Sequence, residues 1–128
     1  RKDLRVKTDL SSDTPLMGDR EALRLALLNI LDNAAKFTPQ KGDIIVKVYS
    51  KQGFLEISVT NSFEKLAEED LTRIFDPFHR AGRSKAPGSG LGLTITKKII
   101  ERHGGKIESF NSPEGLEIRI RLPAEKKA

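Results

Sequence analysis

Residues 28–38 read LNILDNAAKFT, an apolar run in which two asparagines and a lysine recur at helical spacing. The run completes a longer apolar stretch that opens at Asp19, a residue type that caps helix N-termini with its side chain. The stretch stops at Thr38, because the proline that follows disfavours helical backbone before it. We therefore predict a helix over residues 19–37, apolar over most of its circumference.

Three of the polar residues of this predicted helix lie on one face. Asn29, Asn33 and Lys36 are spaced by four and three residues, which brings their side chains together. A solvated surface stripe is one interpretation, although asparagine lowers helix propensity and forms no ion pair in return. The other interpretation is a binding face, in which amide oxygens meet a hydrated hard cation and the lysine meets phosphate.

The remainder of the chain predicts one sheet and further helices. The final strand alternates apolar and charged residues, which is typical of a sheet with one packed face and one wet face. We predict a short helix at residues 67–75 and a second long helix at 91–102, ended by two glycines. The fold class is α/β, a two-layer sandwich in which helices cover one face of a mixed sheet. Five strands are predicted, at residues 3–9, 43–50, 54–60, 106–110 and 116–122.

A glycine-rich segment, GSGLGL at residues 88–93, precedes the second long helix. It lacks the third glycine of the dinucleotide fingerprint and the Gly-Lys-Ser/Thr of a P-loop. A glycine-rich helix entry can still bring backbone amides close to phosphate, and a flexible hinge is the alternative interpretation. Arg80, Arg83 and Lys85 in the adjoining loop favour phosphate. We expect residues 76–90 to form a long loop.

Composition excludes several classes of function. The 128 residues carry a net charge of +5, no cysteine and two histidines, which excludes disulfides and thiolate metal sites and disfavours a histidine zinc site. No apolar run reaches the roughly 20 residues that span a bilayer. Tryptophan is absent and aromatics are 5%, so a base-stacking platform for nucleic acid is not expected. The chain begins at Arg1, and we expect a piece of a longer protein.

Several segments, in one order, resemble the catalytic ATP-binding domain of sensor histidine kinases, within the Bergerat-fold ATPase superfamily. Residues 28–38 resemble its N box, and FDPF at 75–78, followed by His79 and Arg80, resembles its F box. Residues 88–93 resemble the G2 box, and HGG at 103–105 also matches. The resemblance covers nearly the whole chain. It implies a single catalytic domain over residues 1–128, with the dimerisation and phosphoacceptor hairpin elsewhere.

The resemblance implies Mg-ATP as the ligand and assigns roles by position. Asn33, with Asn29, would hold Mg²⁺, while Lys36 and Arg80 would contact phosphate. Phe37 would line the nucleotide pocket, and residues 76–90 would form a lid. No catalytic residue is implied, because the phosphoacceptor histidine lies outside the chain. The full implied ATP-binding set is Asn29, Asn33, Lys36, Phe37, Asn61, Phe78, Arg80, Gly88, Gly90, Leu91, Gly92 and Leu93.

One segment departs from the family pattern. The G1 box usually reads Asp-x-Gly-x-Gly, and NSFEK stands at the aligned residues 61–65. The amide oxygen of Asn61 can still accept a hydrogen bond from the adenine amine. Phe63 and Lys65 remove the backbone freedom that glycine gives, so we expect weakened adenine recognition.

The leading hypothesis is a domain that delivers the γ-phosphate of Mg-ATP to a histidine on a separate helix hairpin. Its expected partners are ATP, that hairpin and a response regulator, with no nucleic acid. We expect a monomeric fragment, a homodimeric full-length protein and a cytoplasmic location, including the cytoplasmic part of a membrane-bound sensor. One alternative is an ATPase of the same fold, disfavoured because the amide of Asn29 cannot act as a general base. Another is a degenerate docking domain, a pseudokinase, with weak or no ATP binding.

Overall fold

The structure is a computed structural model that describes residues 3–10, 18–77 and 92–124. Within these ranges it holds one five-stranded sheet in the order β1-β2-β3-β5-β4. β1 runs parallel to β2, and the other neighbouring pairs are antiparallel, which confirms the predicted mixed sheet. The strands are β1 (Arg5–Leu10), β2 (Asp43–Lys51), β3 (Phe54–Asn61), β4 (Lys106–Ser112) and β5 (Gly115–Pro123).

The first long helix, α1, spans Arg20–Phe37, as its sequence predicts. Asp19 caps it, since its carboxylate accepts a hydrogen bond from the backbone N–H of Ala22 at 3.1 Å. At the other end, the N–H and the hydroxyl of the fully buried Thr38 both donate to the carbonyl of Ala34. The chain therefore leaves the helix in a fixed direction, and the carbonyl of Ala34 accepts two hydrogen bonds.

Two further helices follow in the described ranges, α2 (Glu68–Arg73) and α3 (Gly92–Arg102). The second is the predicted long helix. α2 is shorter than the predicted 67–75, because Ile74 and Phe75 turn out of the helix and become buried in the core. Among the helices in these ranges, none has the length and apolar character needed to cross a bilayer.

The core lies between the sheet and the two long helices. α1 buries Ala26, Ile30 and Ala34, and α3 buries a matching aliphatic set that includes Ile100. These residues belong to one apolar cluster with the sheet residues that face them, of which Ile120 is fully buried. The strict alternation of burial along β5 confirms the prediction of one packed face.

The opposite face of the sheet is polar and still well shielded. Glu56 is only 4% exposed, and Arg121 pairs with it at 3.1 Å while lying 4.6 Å above the ring of Phe54. The hydrogen bond to Glu56, followed by burial, raises the pKa of Tyr49 above its usual value. Arg119 covers Phe110 in the same way as Arg121 covers its phenylalanine. On this face the arginine guanidinium groups therefore cover the aromatic rings, as the helices cover the apolar residues of the other face.

Candidate functional site

The asparagine face of α1 is half-buried and turned toward the start of α3. The side-chain amide of Asn29 donates to the carbonyl of Gly92 at 3.4 Å, which leaves its oxygen as an acceptor. Asn33, one turn further on, is half-buried, and its side chain makes no hydrogen bond to any residue in the described ranges. Two amide oxygens are therefore available on one helix face. They lie next to the start of α3, where the glycine-rich segment predicts phosphate binding.

The described end of the glycine segment lies beside Asn29. A Cβ added at Gly92 would stand 3.9 Å from Asn29 Cβ, an ordinary contact distance, so Asn29 leaves room for a side chain at this position. Leu93, the next residue, is buried in the apolar core and anchors the start of α3. The structure thus brings Gly92 to the candidate site and places Leu93 beneath it as a packing residue.

Lys36 lies at the expected end of the same face but has a partner on its own helix. Its ammonium is 3.0 Å from the carboxylate of Asp32, and both side chains are substantially exposed. An exposed i,i+4 pair of this kind contributes only about 0.3–0.5 kcal/mol. The loss of this one carboxylate contact to a phosphate would therefore cost little.

Asn61 occupies the end of β3 and is 2% exposed. Its side-chain amide donates to the backbone carbonyl of Ser62 at 3.2 Å, so its amide oxygen remains as an acceptor. Ser62 is in turn fixed to the start of β2, because its N–H donates to Asp43 O and its hydroxyl accepts from Asp43 N–H, both at 2.9 Å. The acceptor of Asn61 is therefore held on a rigid backbone.

Gly115, at the turn between β4 and β5, presses against the same strand end. Its φ of +134° favours glycine, and an added Cβ would stand 2.8 Å from the carbonyl carbon of Asn61 and 3.0 Å from Ser62 Cα. The turn of this hairpin thus supports the backbone of Asn61 from the side of β5. By contrast, the β2–β3 turn at Gly53 has open space around it.

Phe63 has a partner that sequence reasoning missed. Its ring meets that of Phe37 edge to face, with centroids 6.2 Å apart and an interplanar angle of 84°. Phe37 lies one turn beyond Asn33, so this contact joins the departing segment after β3 to the asparagine face of α1. The sequence indicates only that Phe63 stands where the family pattern has glycine. A contact between two aromatic residues that are far apart in the chain leaves no local pattern.

The segment between this corner and the F box is anchored by side chains of β4 and α3. Asn111 takes both backbone groups of Leu66, accepting from its N–H at 3.0 Å and donating to its carbonyl at 2.8 Å. The hydroxyl of Ser109 donates to the carbonyl of Leu71, and that of Thr94 to the carbonyl of Phe75. The described approach to the predicted lid is therefore held in place by polar contacts.

Five members of the predicted ATP-binding set lie outside the described residues, as does most of the predicted lid. They are Phe78, Arg80, Gly88, Gly90 and Leu91. The described members are Asn29, Asn33, Lys36, Phe37, Asn61, Gly92 and Leu93.

The donor set at this face fits a hydrated magnesium ion. Among the described residues, no group of three or more histidine, aspartate or glutamate side chains could hold a metal. Mg²⁺ needs no such cage, since it keeps several waters and commonly binds through substrate phosphates with one or two protein oxygens. The available oxygens of Asn29 and Asn33 supply that number and type of donor.

Comparison with known proteins agrees with this fold. The family model described as histidine kinase-, DNA gyrase B- and HSP90-like ATPase matches residues 18–126. The chain belongs to this ATPase family. It is 34% identical over 129 residues to the sensor protein KdpD of Clostridium acetobutylicum, a match that covers 97% of this chain and 14% of that protein. The chain thus corresponds to a small part of this curated relative.

Solved structures place the similarity in the histidine kinase branch of the family. The mycobacterial sensor histidine kinase MprB matches with a TM-score of 0.86 and 31% identity, covering 97% of this chain and 86% of that one. Histidine kinase ThkA, solved in complex with the response regulator TrrA, matches with a TM-score of 0.80 and 28% identity, covering 95% and 34%. These findings confirm the resemblance to the catalytic ATP-binding domain of sensor histidine kinases.

Proposed function

We propose that this chain binds Mg-ATP and that, within a longer protein, it delivers the γ-phosphate to a histidine on a separate helix hairpin. The observation that carries the proposal is the hydrogen bond from Asn29 to Gly92 O, which joins the asparagine face to the glycine-rich helix entry. Amide oxygens for a cation and backbone donors for phosphate therefore meet at one place.

Each described side chain has a task that follows from its surroundings. Asn29 and Asn33 would hold Mg²⁺, which when bound neutralises charge on the phosphates. Lys36, released from Asp32, would contact phosphate, and Phe37 would line the base pocket. Asn61 would accept from the amine of adenine, because its own amide donor is already engaged by Ser62.

In the transfer itself, the bond from the γ-phosphorus to the bridging oxygen of ADP breaks as a bond to an imidazole nitrogen forms. Such chemistry depends mainly on positioning and charge neutralisation. Hydrolysis would instead need a group that takes a proton from water. The amide of Asn29 cannot do this, which favours transfer over hydrolysis.

The remaining partners belong to the longer protein. The ThkA structure contains a response regulator, and we propose a protein of that class as the final acceptor here. We further propose that residues 1–128 form one catalytic domain, monomeric alone, in a full-length homodimer that places this domain in the cytoplasm.

A titration of ATP into the chain, with and without Mg²⁺, tests the binding step. We expect saturable binding that is tighter with Mg²⁺, and a preference for ATP over GTP. Undetectable binding under both conditions would contradict the proposal and favour a docking domain that has lost its nucleotide. Transfer of labelled phosphate from ATP to histidine in the full-length protein tests the second step. Release of inorganic phosphate without phosphohistidine would indicate a hydrolase instead.

A further inference from the structure

Three hydrogen bonds join α1 to α3 along their length. The N–H of Asp19 donates to His103 Nε2 at 3.0 Å, and the hydroxyl of Thr96 donates to Ala26 O at 3.2 Å. The third is the bond from the side-chain amide of Asn29 to Gly92 O. The bonded residues advance along α1 while their partners move back along α3 by a similar distance, which is the pattern of two antiparallel helices. The candidate site lies at one end of this pair of helices, and His103 lies at the other.

The hydrogen bonds of His103 determine which of its nitrogens carries the proton. The backbone N–H of Asp19 can only donate, so Nε2 accepts. Nδ1 lies 2.8 Å from the carbonyl of Ile99, which can only accept, so Nδ1 donates. Both ring nitrogens are used, one toward its own helix and one toward α1. The imidazole of His103 is therefore a hydrogen-bonded cross-link between the end of α3 and the start of α1.

Gly18 leaves the space that the imidazole ring of His103 occupies. A Cβ added at Gly18 would stand 2.7 Å from His103 Nε2 and would also collide with the neighbouring ring carbon. The imidazole therefore lies directly against the backbone that leads into α1. A glycine before the cap and a histidine after the end of α3 form one fitted contact.

Apolar packing between the two helices specifies their axial offset less sharply than the three hydrogen bonds do, and the bond at His103 lies farthest from the candidate site. The buried groups of α1 at this seam include Ala26 and Ile30, and contacts between aliphatic surfaces have little directional preference. Hydrogen bonds are directional and fail when donor and acceptor slide apart. Since a helix is stiff and rises about 1.5 Å per residue, an offset fixed at His103 is transmitted to Asn29, about 15 Å away.

We propose that His103 is a positioning residue for the nucleotide site. By holding the start of α1 against the end of α3, it fixes the offset of Asn29 and Asn33 relative to Gly92. The effect on nucleotide binding rests on the proposed function, whereas the effect on helix offset is a property of the folded chain alone.

Two substitutions separate the two hydrogen bonds of the ring. In His103→Gln, the amide oxygen reaches about the position of Nε2 and can still accept from Asp19. In His103→Asn, the shorter amide reaches about the position of Nδ1 and loses the link to α1. His103→Ala removes both, and Gly18→Ala displaces the ring while leaving the histidine in the chain. Ser58→Ala is the matched control, since it deletes a partly buried hydrogen bond to Glu117 within the sheet, away from the candidate site.

The first measurement needs no ligand. We expect the NMR resonances of the Asn29 side-chain amide and the Gly92 backbone amide to shift in His103→Ala, His103→Asn and Gly18→Ala. They should stay at parent positions in His103→Gln and Ser58→Ala. If His103→Ala lowers the melting temperature as Ser58→Ala does but leaves both resonances unmoved, His103 is a stability residue only and the proposal is wrong.

The second measurement is Mg-ATP affinity. We expect a loss of about three- to tenfold in the variants that lack the link, the ratio that one hydrogen bond typically supplies, and less than twofold in His103→Gln and the control. Equal affinity in His103→Ala and the parent would contradict the proposal. A parent that binds no Mg-ATP would contradict the proposed function, and the resonances alone would then decide the role of His103.

Discussion

Asn33 on α1 and Asn61 at the end of β3 are both carboxamides of the candidate site, but the fold treats them differently. Asn33 is half-buried and its side chain forms no hydrogen bond within the described residues, whereas Asn61 is 2% exposed and its side chain already donates to Ser62 O. Asn33 lies on a helix with other polar groups around it. Asn61 is held by a strand end, a serine bonded to β2, and the turn at Gly115.

This difference in burial and hydrogen bonding predicts how Asn33 and Asn61 would contribute to nucleotide binding. An unengaged half-exposed amide costs the folded chain little and can be committed wholly to a ligand. A buried amide must be satisfied even in the empty protein, so part of its hydrogen-bonding capacity is structural. Substitution of Asn33 should therefore affect binding without stability, and substitution of Asn61 should affect both.

The largest effect is expected for Asn33→Ala. The gain in ATP affinity that Mg²⁺ provides should fall by about 10–100-fold, the range seen when support of a metal site is removed. The free energy of unfolding should change by about 0.5 kcal/mol or less, because no described hydrogen bond is lost. ATP titrations with and without Mg²⁺, together with urea unfolding, measure both quantities.

Gln40→Ala is the control for this variant, since it removes an exposed carboxamide outside the candidate site. It should leave the Mg²⁺ dependence at the parent value. Equal Mg²⁺ dependence in Asn33→Ala and the parent would remove Asn33 from the metal site.

An intermediate effect is expected for Asn61→Asp. A charged acceptor should raise ATP affinity severalfold and widen discrimination against GTP, whose carbonyl cannot donate. The carboxylate cannot donate to Ser62 O, so stability should fall by about 1 kcal/mol. Titrations with both nucleotides and a melting curve test the two halves of this expectation.

The same variant combined with Phe63→Gly sharpens the test, because the phenylalanine ring sits against Phe37 where the family pattern has glycine. If the parent binds ATP and GTP equally and neither variant improves on it, Asn61 does not recognise adenine.

The smallest effect is expected for Asp32→Asn. It removes the carboxylate that pairs with Lys36 on the same helix, so this ion pair no longer competes with phosphate for the ammonium. The pair contributes about 0.3–0.5 kcal/mol, which corresponds to about a twofold gain in ATP affinity at low salt. The gain should disappear at high salt, where exposed pairs are screened. An unchanged affinity at low salt would indicate that Lys36 does not contact phosphate.

Local patterns predicted most of the fold. The cap at Asp19, the stop at Thr38 and the alternation along β5 are properties of neighbouring residues, and each is confirmed. The end of α2 was predicted too late, because the burial of Ile74 and Phe75 in the core decides it. Tertiary packing overrides local preference at such a boundary.

The candidate site was predictable where it follows a helical spacing, as for Asn29 and Asn33. Contacts across the fold were not predictable. Phe63 meets Phe37, and His103 meets Asp19, through the packing of elements that are far apart in sequence. Their chemistry depends on partners that no spacing rule reveals, since single residues carry no periodic signal.

The two hairpin turns of the sheet give the domain two very different attachment points. At Gly53 nothing lies within 4 Å of an added Cβ, whereas at Gly115 an added Cβ would push against the backbone of Asn61. A reporter peptide inserted at the first turn would be carried passively by the sheet. One inserted beside Gly115 would strain the strand end that holds the proposed base acceptor, so its signal and nucleotide occupancy would influence each other. The choice of turn thus decides whether a fusion acts as a silent label or as a sensor.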